Sequence, residues 1–77
     1  MLKELLEVIA KSLVDHPMDV SVNEIEGEQS VILELRVAQE DMGKVIGKQG
    51  RIAKCIRTLI KAAATRENKR VIVEIRQ

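Results

Sequence analysis

Two glycines three positions apart, Gly47 and Gly50, separate two amphipathic stretches of the sequence. Apolar residues at helical spacing run up to the first glycine, and a longer set starts directly after the second. Because glycine readily leaves the right-handed helical conformation, this spacing predicts that one helix ends and another begins within four residues. The start of a helix exposes backbone N–H groups without intrahelical partners, so the break predicts a backbone suited to binding an anion.

The charges are distributed unevenly along the chain. Residues 1–41 contain ten acidic and three basic residues, whereas residues 42–66 contain seven basic residues and no acidic one. The net charge of +1 therefore conceals a cationic block around the glycines, a pattern typical of proteins that bind polyanions. We expect the four cations nearest the break to contact phosphates: Lys44, Lys48, Arg51 and Lys54. For Lys61 and Arg66 we favour a solvated helix face.

The composition excludes several classes of protein. The chain has no aromatic residue, so it lacks the rings on which many single-strand binders stack bases. Cys55 and His16 are each the only residue of their type, and no metal-ligand cluster, catalytic triad or carboxylate pair is readable. The glycine spacing fits neither a P-loop nor a dinucleotide-binding fingerprint. We therefore expect no enzyme activity, cofactor or metal, no membrane span, and a cytoplasmic protein.

Hydrophobic periodicity predicts six elements in the order α-β-β-α-α-β. The two central strands form a hairpin with its core face on the odd positions, and the last strand joins it in parallel after a helical excursion. We therefore predict one domain, residues 1–77, with an α+β two-layer sandwich in which three helices cover a three-stranded mixed sheet. The expected elements are helix 2–13, strands 20–26 and 31–37, a helix from Glu40 or Asp41 as its cap to Ile46, helix 51–65, and strand 71–75.

Two surfaces are predicted to be apolar. On the 51–65 helix, the inner stripe is expected to be Ile52, Cys55, Ile56, Leu59 and Ala63, with Cys55 as a small core side chain. Ile60, Ala62 and Ala64 then widen this stripe beyond one small core, which favours a homodimer through this helix. On the sheet, Ile25, Ile32 and Ile72 should form a small patch on the face away from the helices.

An Ile-Gly-x-x-Gly sequence between two helices, in the order α-β-β-α-α-β, resembles a KH domain of the bacterial, type II topology. Residues 42–56 are most similar to the small bacterial single-KH RNA-binding proteins, and the resemblance spans the whole chain. In KH domains the glycine loop grips the backbone of about four nucleotides beside an apolar groove.

The resemblance implies a role for each residue of the motif. Gly47 and Gly50 would form the backbone clamp, Lys48 and Gln49 would meet phosphates, and Ile46 and Ile52 would anchor the two helices. The groove would be lined by Val45, Ala53 and the edge of the middle strand, from Leu33 to Val37. Without aromatic residues, base discrimination should be weak.

Two functions follow from the sequence. The first is non-catalytic binding of single-stranded RNA, as an RNA chaperone or post-transcriptional regulator, together with a second KH-containing RNA-binding protein. The second is a protein-interaction module that uses the KH fold as a scaffold. The glycines also have a purely structural interpretation, in which they only end one helix and start another.

Overall fold

In the computed structural model, residues 2–76 are described, with the exception of the Lys48 side chain. The elements follow the predicted order, with one added turn of 3₁₀ helix at Pro17–Asp19. Proline fixes the backbone where α1 cannot continue, which separates that helix from the first strand. The remaining elements are α1 (Leu2–Leu13), β1 (Ser21–Glu26), β2 (Ser30–Arg36), α2 (Gln39–Arg66) and β3 (Arg70–Arg76).

The helical stretch α2 contains the predicted break. Its backbone is left-handed at two consecutive residues, with φ of 63° at Gln49 and 71° at Gly50. A right-handed helix cannot pass through such residues, so α2 consists of two helical segments, residues 39–48 and 51–66. Together with α1 these make three helices, and the α+β fold class and the α-β-β-α-α-β order are confirmed.

The sheet is mixed, with the strand order β1-β2-β3. β1 pairs antiparallel with β2, so that Ser21 lies opposite Arg36, and β3 pairs parallel with β2. In each opposed pair of the hairpin, one residue number is even and the other is odd. Opposed side chains lie on the same face of the sheet, so one strand buries its even positions and the other its odd positions. The predicted odd core face holds for β2, but in β1 the buried residue is Val22.

The core lies between the sheet and the helices. It contains Leu2, Leu6 and Ala10 of α1, the inward residues of the strands, and Ile56, Ile60 and Ala64 of α2. Cys55 is exposed and Leu59 is 47% exposed, whereas Ile60 is fully buried. The predicted inner stripe of the long helix was thus wrong at Cys55 and Leu59. No helix in the described part of the chain is long and apolar enough to cross a membrane.

Candidate nucleic-acid interface

The break in α2 is the centre of the candidate site. Both Gln49 and Gly50 have left-handed backbone. Glycine adopts this conformation without strain, whereas residues with a side chain, such as glutamine, rarely do. Strained backbone of this kind concentrates at functional sites, because a surrounding structure must hold it in place. A Cβ added at either Gly47 or Gly50 would meet no other atom within 4 Å. The glycines therefore leave open space in front of the backbone.

A hollow of about 370 Å³ lies beside the break. Three apolar side chains contribute to its wall, Ile46 from the first segment of α2, Ala53 from the second and Ile75 from β3. The cations Lys54 and Arg57 stand three residues apart on the second segment and complete the wall with Gln49 and Gly50. No acidic side chain of the described residues lines this hollow. The hollow therefore combines an apolar surface, formed by Ile46, Ala53 and Ile75, with a cationic rim formed by Lys54 and Arg57.

A smaller hollow of about 180 Å³ involves other residues of the same break. It is lined by Gly43, Lys44, Gly47, Arg51 and Ile52. The predicted site residues thus divide between two hollows. Ile46, Gln49, Gly50 and Lys54 line the larger one, whereas Gly47, Arg51 and Lys44 line the smaller one. The side chain of Lys48 lies outside the described part of the structure.

Lys44 has a partner within the protein. Its Nζ lies 3.2 Å from Oδ1 of Asp15, in the linker that follows α1, and both side chains are well exposed. An exposed ion pair of this kind is weak, so an incoming phosphate can compete for the ammonium group. Lys44 is nevertheless less available than Arg51 and Lys54, for which no ion pair occurs within residues 2–76.

The wall of the larger hollow differs from the expected groove. Val45, Leu33 and Leu35 are fully buried, and the middle strand lies between two partners, so it has no free edge. The strand that contributes to the wall is β3, through Ile75. Sequence reasoning missed Ile75 and Arg57. The available signal for Ile75 was the alternation of Val71, Val73 and Ile75, which predicts that these residues share one face of a strand. Because this strand pairs in parallel with β2, it becomes an edge strand that lies under α2.

Two anchoring predictions were also partly wrong. The cap of α2 is neither Glu40 nor Asp41 but Ala38, which makes no side-chain hydrogen bond, and Asp41 has a different role. Its carboxylate is buried and accepts hydrogen bonds from the backbone N–H groups of Asp15 and His16, at 3.1 and 3.0 Å. Ile46, expected to anchor the helix before the break, is 52% exposed. The first segment is therefore fixed at its start, while Ile46 near its end faces the hollow.

Comparison with known proteins gives one consistent answer. The family model "KhpA/KhpB, KH domain" matches residues 3–75. The chain is 73% identical to an RNA-binding protein KhpA of Clostridium perfringens over 74 residues, which cover 96% of this chain and 99% of that protein. It is 76% identical to an RNA-binding protein KhpA of Clostridium acetobutylicum, with the same coverage.

More distant relatives extend this agreement. An RNA-binding protein KhpA of Aquifex aeolicus is 53% identical over 74 residues, covering 96% of this chain and 94% of that protein. No solved structure matches. The match of the family model over nearly the whole sequence, together with the fold and the glycine break, identifies the chain as a member of the KhpA/KhpB family of KH domains.

Proposed function

We propose that the protein binds single-stranded RNA without catalysing a reaction, and that it grips the RNA backbone at residues 47–50. The observation that carries this proposal is the break itself: two left-handed residues stand beside an apolar hollow with a cationic rim. The relatives are named RNA-binding proteins, which supports RNA over DNA as the ligand. Oligonucleotide titration followed by amide NMR would test whether residues 46–54 respond.

Different groups of the site would contact different parts of the nucleotide. A helix that restarts after a break offers the N–H groups of its first turn, and these donors suit phosphate oxygens. Lys48, Arg51 and Lys54 would neutralise phosphate charge, with Lys44 as a further contact when Asp15 releases it. The bases would lie against Ile46, Ala53 and Ile75 in the larger hollow.

Weak sequence selectivity follows from the chemistry of the wall. Aliphatic side chains contact every base similarly, and the chain has no ring on which a base could stack. Each neutralised phosphate contributes about −0.7 to the dependence of log K on log salt, so about three contacts give a slope of about −2. Binding of this kind suits an RNA chaperone or post-transcriptional regulator in the cytoplasm.

A paired substitution tests the proposal. Gly47→Asp with Gln49→Asp places two negative charges in the break, where Gly47 has open space and Asp tolerates the left-handed conformation. We expect binding of random single-stranded RNA to weaken at least tenfold, with an unchanged circular dichroism spectrum. The control Gln29→Asp with Gln39→Asp adds the same charge at exposed positions and should bind nearly normally. Retained affinity in the first variant would move RNA binding to another surface.

A protein-interaction function is the second candidate, and one observation favours it. Cys55, Leu59 and Ala62 are exposed at helical spacing on the second segment of α2. Two of the residues first expected at a dimer interface, Ile60 and Ala64, belong to the core and are unavailable to a partner. A homodimer through the 51–65 helix would therefore use the Cys55–Leu59–Ala62 stripe.

The same stripe could bind a second KH-containing RNA-binding protein, since the matched family model covers both KhpA and KhpB. Leu59→Asp should abolish either association and leave a folded monomer in sedimentation experiments. Because Leu59 is half-exposed, the change leaves the core intact, whereas Ile60→Asp would unfold the protein. An unchanged mass for Leu59→Asp would reject this interface.

A further inference from the structure

A further hollow adjoins the larger one beside the break. Its volume is about 250 Å³, and Arg57 contributes to the walls of both. Its other wall residues are Lys61 of α2 and three consecutive residues of β3, Val71, Ile72 and Val73. Because the two hollows share a side chain, they are neighbours, and this distal hollow lies farther from the break along α2.

The distal hollow lies at the free edge of the sheet. β3 is the last strand in the order β1-β2-β3, so one of its edges has no partner strand. Alternate residues of a strand point to opposite faces of the sheet. Val73 is buried on the helix side and Ile72 is 49% exposed on the other side, yet both line the distal hollow. A hollow that takes side chains from both faces of a strand lies along its edge.

The backbone at this edge offers hydrogen-bonding groups. The N–H of Arg70 and the carbonyl of Arg76 form hydrogen bonds with residues that flank β2, so the even-numbered residues of β3 face the sheet. Backbone groups alternate in direction along a strand, and those of Val71 and Val73 therefore point to the free edge. Unpaired N–H and C=O groups suit the polar edges of nucleobases.

The helix side of the same path is cationic. Lys54, Arg57 and Lys61 follow one another at intervals of three and four residues, so they share one face of the second segment of α2. All three are exposed, and none has an ion pair within residues 2–76. At a rise of 1.5 Å per residue, Lys54 and Lys61 are about 10 Å apart along the helix. The row of cations therefore extends from the hollow beside the break to the distal hollow.

The charges on the outer face of the sheet do not reverse this pattern. No acidic side chain of the described residues lines either hollow. Glu34 and Glu74 lie on the outer face, where Arg76 is 3.6 Å from the first and 2.9 Å from the second. Arg36 lies beside Arg76 at one end of that face, and Arg70 lies at the other. The surroundings of the distal hollow are therefore positive, which suits a polyanion.

We propose that bound RNA continues from the break into the distal hollow, with phosphates along the cation row and bases against the edge of β3. This longer path rests on the proposed function, RNA binding at the break, and extends it. The site then holds more than the about four nucleotides that a KH glycine loop grips. Arg57 belongs to both parts of the path, and Lys61 belongs to the distal part alone. Lys61 is then a phosphate contact and not only part of a solvated helix face.

Oligouridines of four and eight nucleotides test the length of the path by amide NMR. The shorter RNA should shift chiefly the resonances of residues 46–54 and Ile75. The longer RNA should also shift those of Lys61 and residues 71–73. If neither RNA shifted residues 46–54, the proposed function itself would fail. If the longer RNA shifted residues 46–54 and left residues 71–73 unchanged, only the distal part would fail.

A charge reversal measures what the distal hollow contributes to affinity. Lys61→Glu should weaken binding of the eight-nucleotide RNA at least fivefold and that of the four-nucleotide RNA less than twofold, because only the longer RNA reaches Lys61. Lys61→Arg keeps the charge and should bind both normally. Arg66→Glu is the matched control, since Arg66 is an exposed arginine of the same segment that lines neither hollow. It should change either affinity less than twofold in fluorescence anisotropy.

Salt dependence gives an independent measurement. Lys61→Gln removes one phosphate contact, so the slope of log K against log salt for the eight-nucleotide RNA should become shallower by about 0.7. Circular dichroism establishes that each variant is folded. Unchanged binding of the longer RNA to Lys61→Glu would overturn the proposal. So would equal losses for Lys61→Glu and Arg66→Glu, since these would reflect net charge and not a defined path.

Discussion

The two ends of the first segment of α2, residues 39–48, differ in how the rest of the protein holds them. At the start, Asp41 is 1% exposed and its carboxylate binds the backbone of the linker after α1. At the other end Gln49 is exposed, and nothing approaches the Cβ positions of Gly47 and Gly50. One end is anchored by hydrogen bonds and burial, while the other presents backbone to solvent.

This difference shows how a small domain can offer a strained binding site. Left-handed residues such as Gln49 cost free energy and persist only if neighbouring structure holds them. The anchored end fixes the direction of the helix, so the break can remain open without loss of the fold. Disturbing the anchored end should therefore cost more stability than disturbing the open end.

The first prediction removes the anchor. Asp41→Ala deletes a buried charged acceptor and leaves the N–H groups of Asp15 and His16 without partners. We expect the free energy of unfolding to fall by about 3 kcal/mol, because each of the two lost hydrogen bonds to the carboxylate contributes about 1.5–3 kcal/mol. Urea denaturation measures the loss. Glu40→Ala, exposed in the same turn, is the control and should change stability by less than about 0.5 kcal/mol.

The second prediction concerns the open end. Gly50→Ala forces a residue with a Cβ into a left-handed conformation, with φ of 71°, although no atom obstructs the added group. The cost is therefore a backbone cost, about 1–2 kcal/mol, in the free energy of unfolding. RNA affinity should also fall, because the methyl group stands where the phosphate would approach. A fully stable variant would show that this conformation is not required.

The third prediction concerns Gly43, a glycine inside the helix that serves as a comparison for Gly50. This glycine lies within the first segment of α2, has no left-handed φ and has no neighbour within 4 Å of its Cβ position. Gly43→Ala should raise the free energy of unfolding by about 0.5–1 kcal/mol, because alanine favours a helix interior. Urea denaturation should therefore give changes in the free energy of unfolding of opposite sign for Gly43→Ala and Gly50→Ala. This difference would distinguish a glycine inside a helix from one at the break.

The fourth prediction concerns an exposed ion pair remote from the anchor. The hydrogen bond from Lys69, followed by its charge, lowers the pKa of Glu26, and the hydrogen bond to Glu26 raises the pKa of Lys69. A lowered carboxyl pKa stabilises the fold above the unfolded-state pKa, and this contribution is lost as pH falls through the folded-state pKa. The difference in melting temperature between wild type and Glu26→Gln should therefore be small at neutral pH and vanish in acid. A difference that persists in acid would contradict the ion pair.

Local pattern was sufficient to predict the element order, the mixed sheet and the break. The element order and the break depend on periodicity and on glycine, which act over a few residues, and the parallel pairing of the last strand follows from the helical connection before it. Local pattern did not predict which face of the second segment of α2 is buried. Leu59 and Ile60 are adjacent apolar residues, so two stripes about 100° apart were almost equally apolar. Packing against the sheet selects the stripe with Ala53, Ile56, Ile60 and Ala64, and Cys55 then faces solvent.

The site was predictable only as far as its residues are close in sequence. Gln49, Gly50 and Lys54 were expected together and do line one hollow with Ile46. Ile75 reaches the same hollow from β3, and no local signal links it to the glycines. The role of Asp41 is equally non-local, since its partners lie 26 and 25 residues away. An acid near a helix start is ordinarily interpreted as a cap, and here its side chain points inward instead.

The parallel pairing of β3 has a consequence for when the binding surface exists. Every paired residue of β2 and β3 is separated by forty positions, as Leu33 and Val73 are. Contacts between residues so far apart in sequence are expected to form late in folding, and β3 is an edge strand, so it can open locally without disrupting the β1–β2 hairpin. Since Ile75 belongs to β3, each opening dismantles one side of the hollow. A nucleic acid held there would keep the strand closed, and its amide protons would then exchange with solvent more slowly.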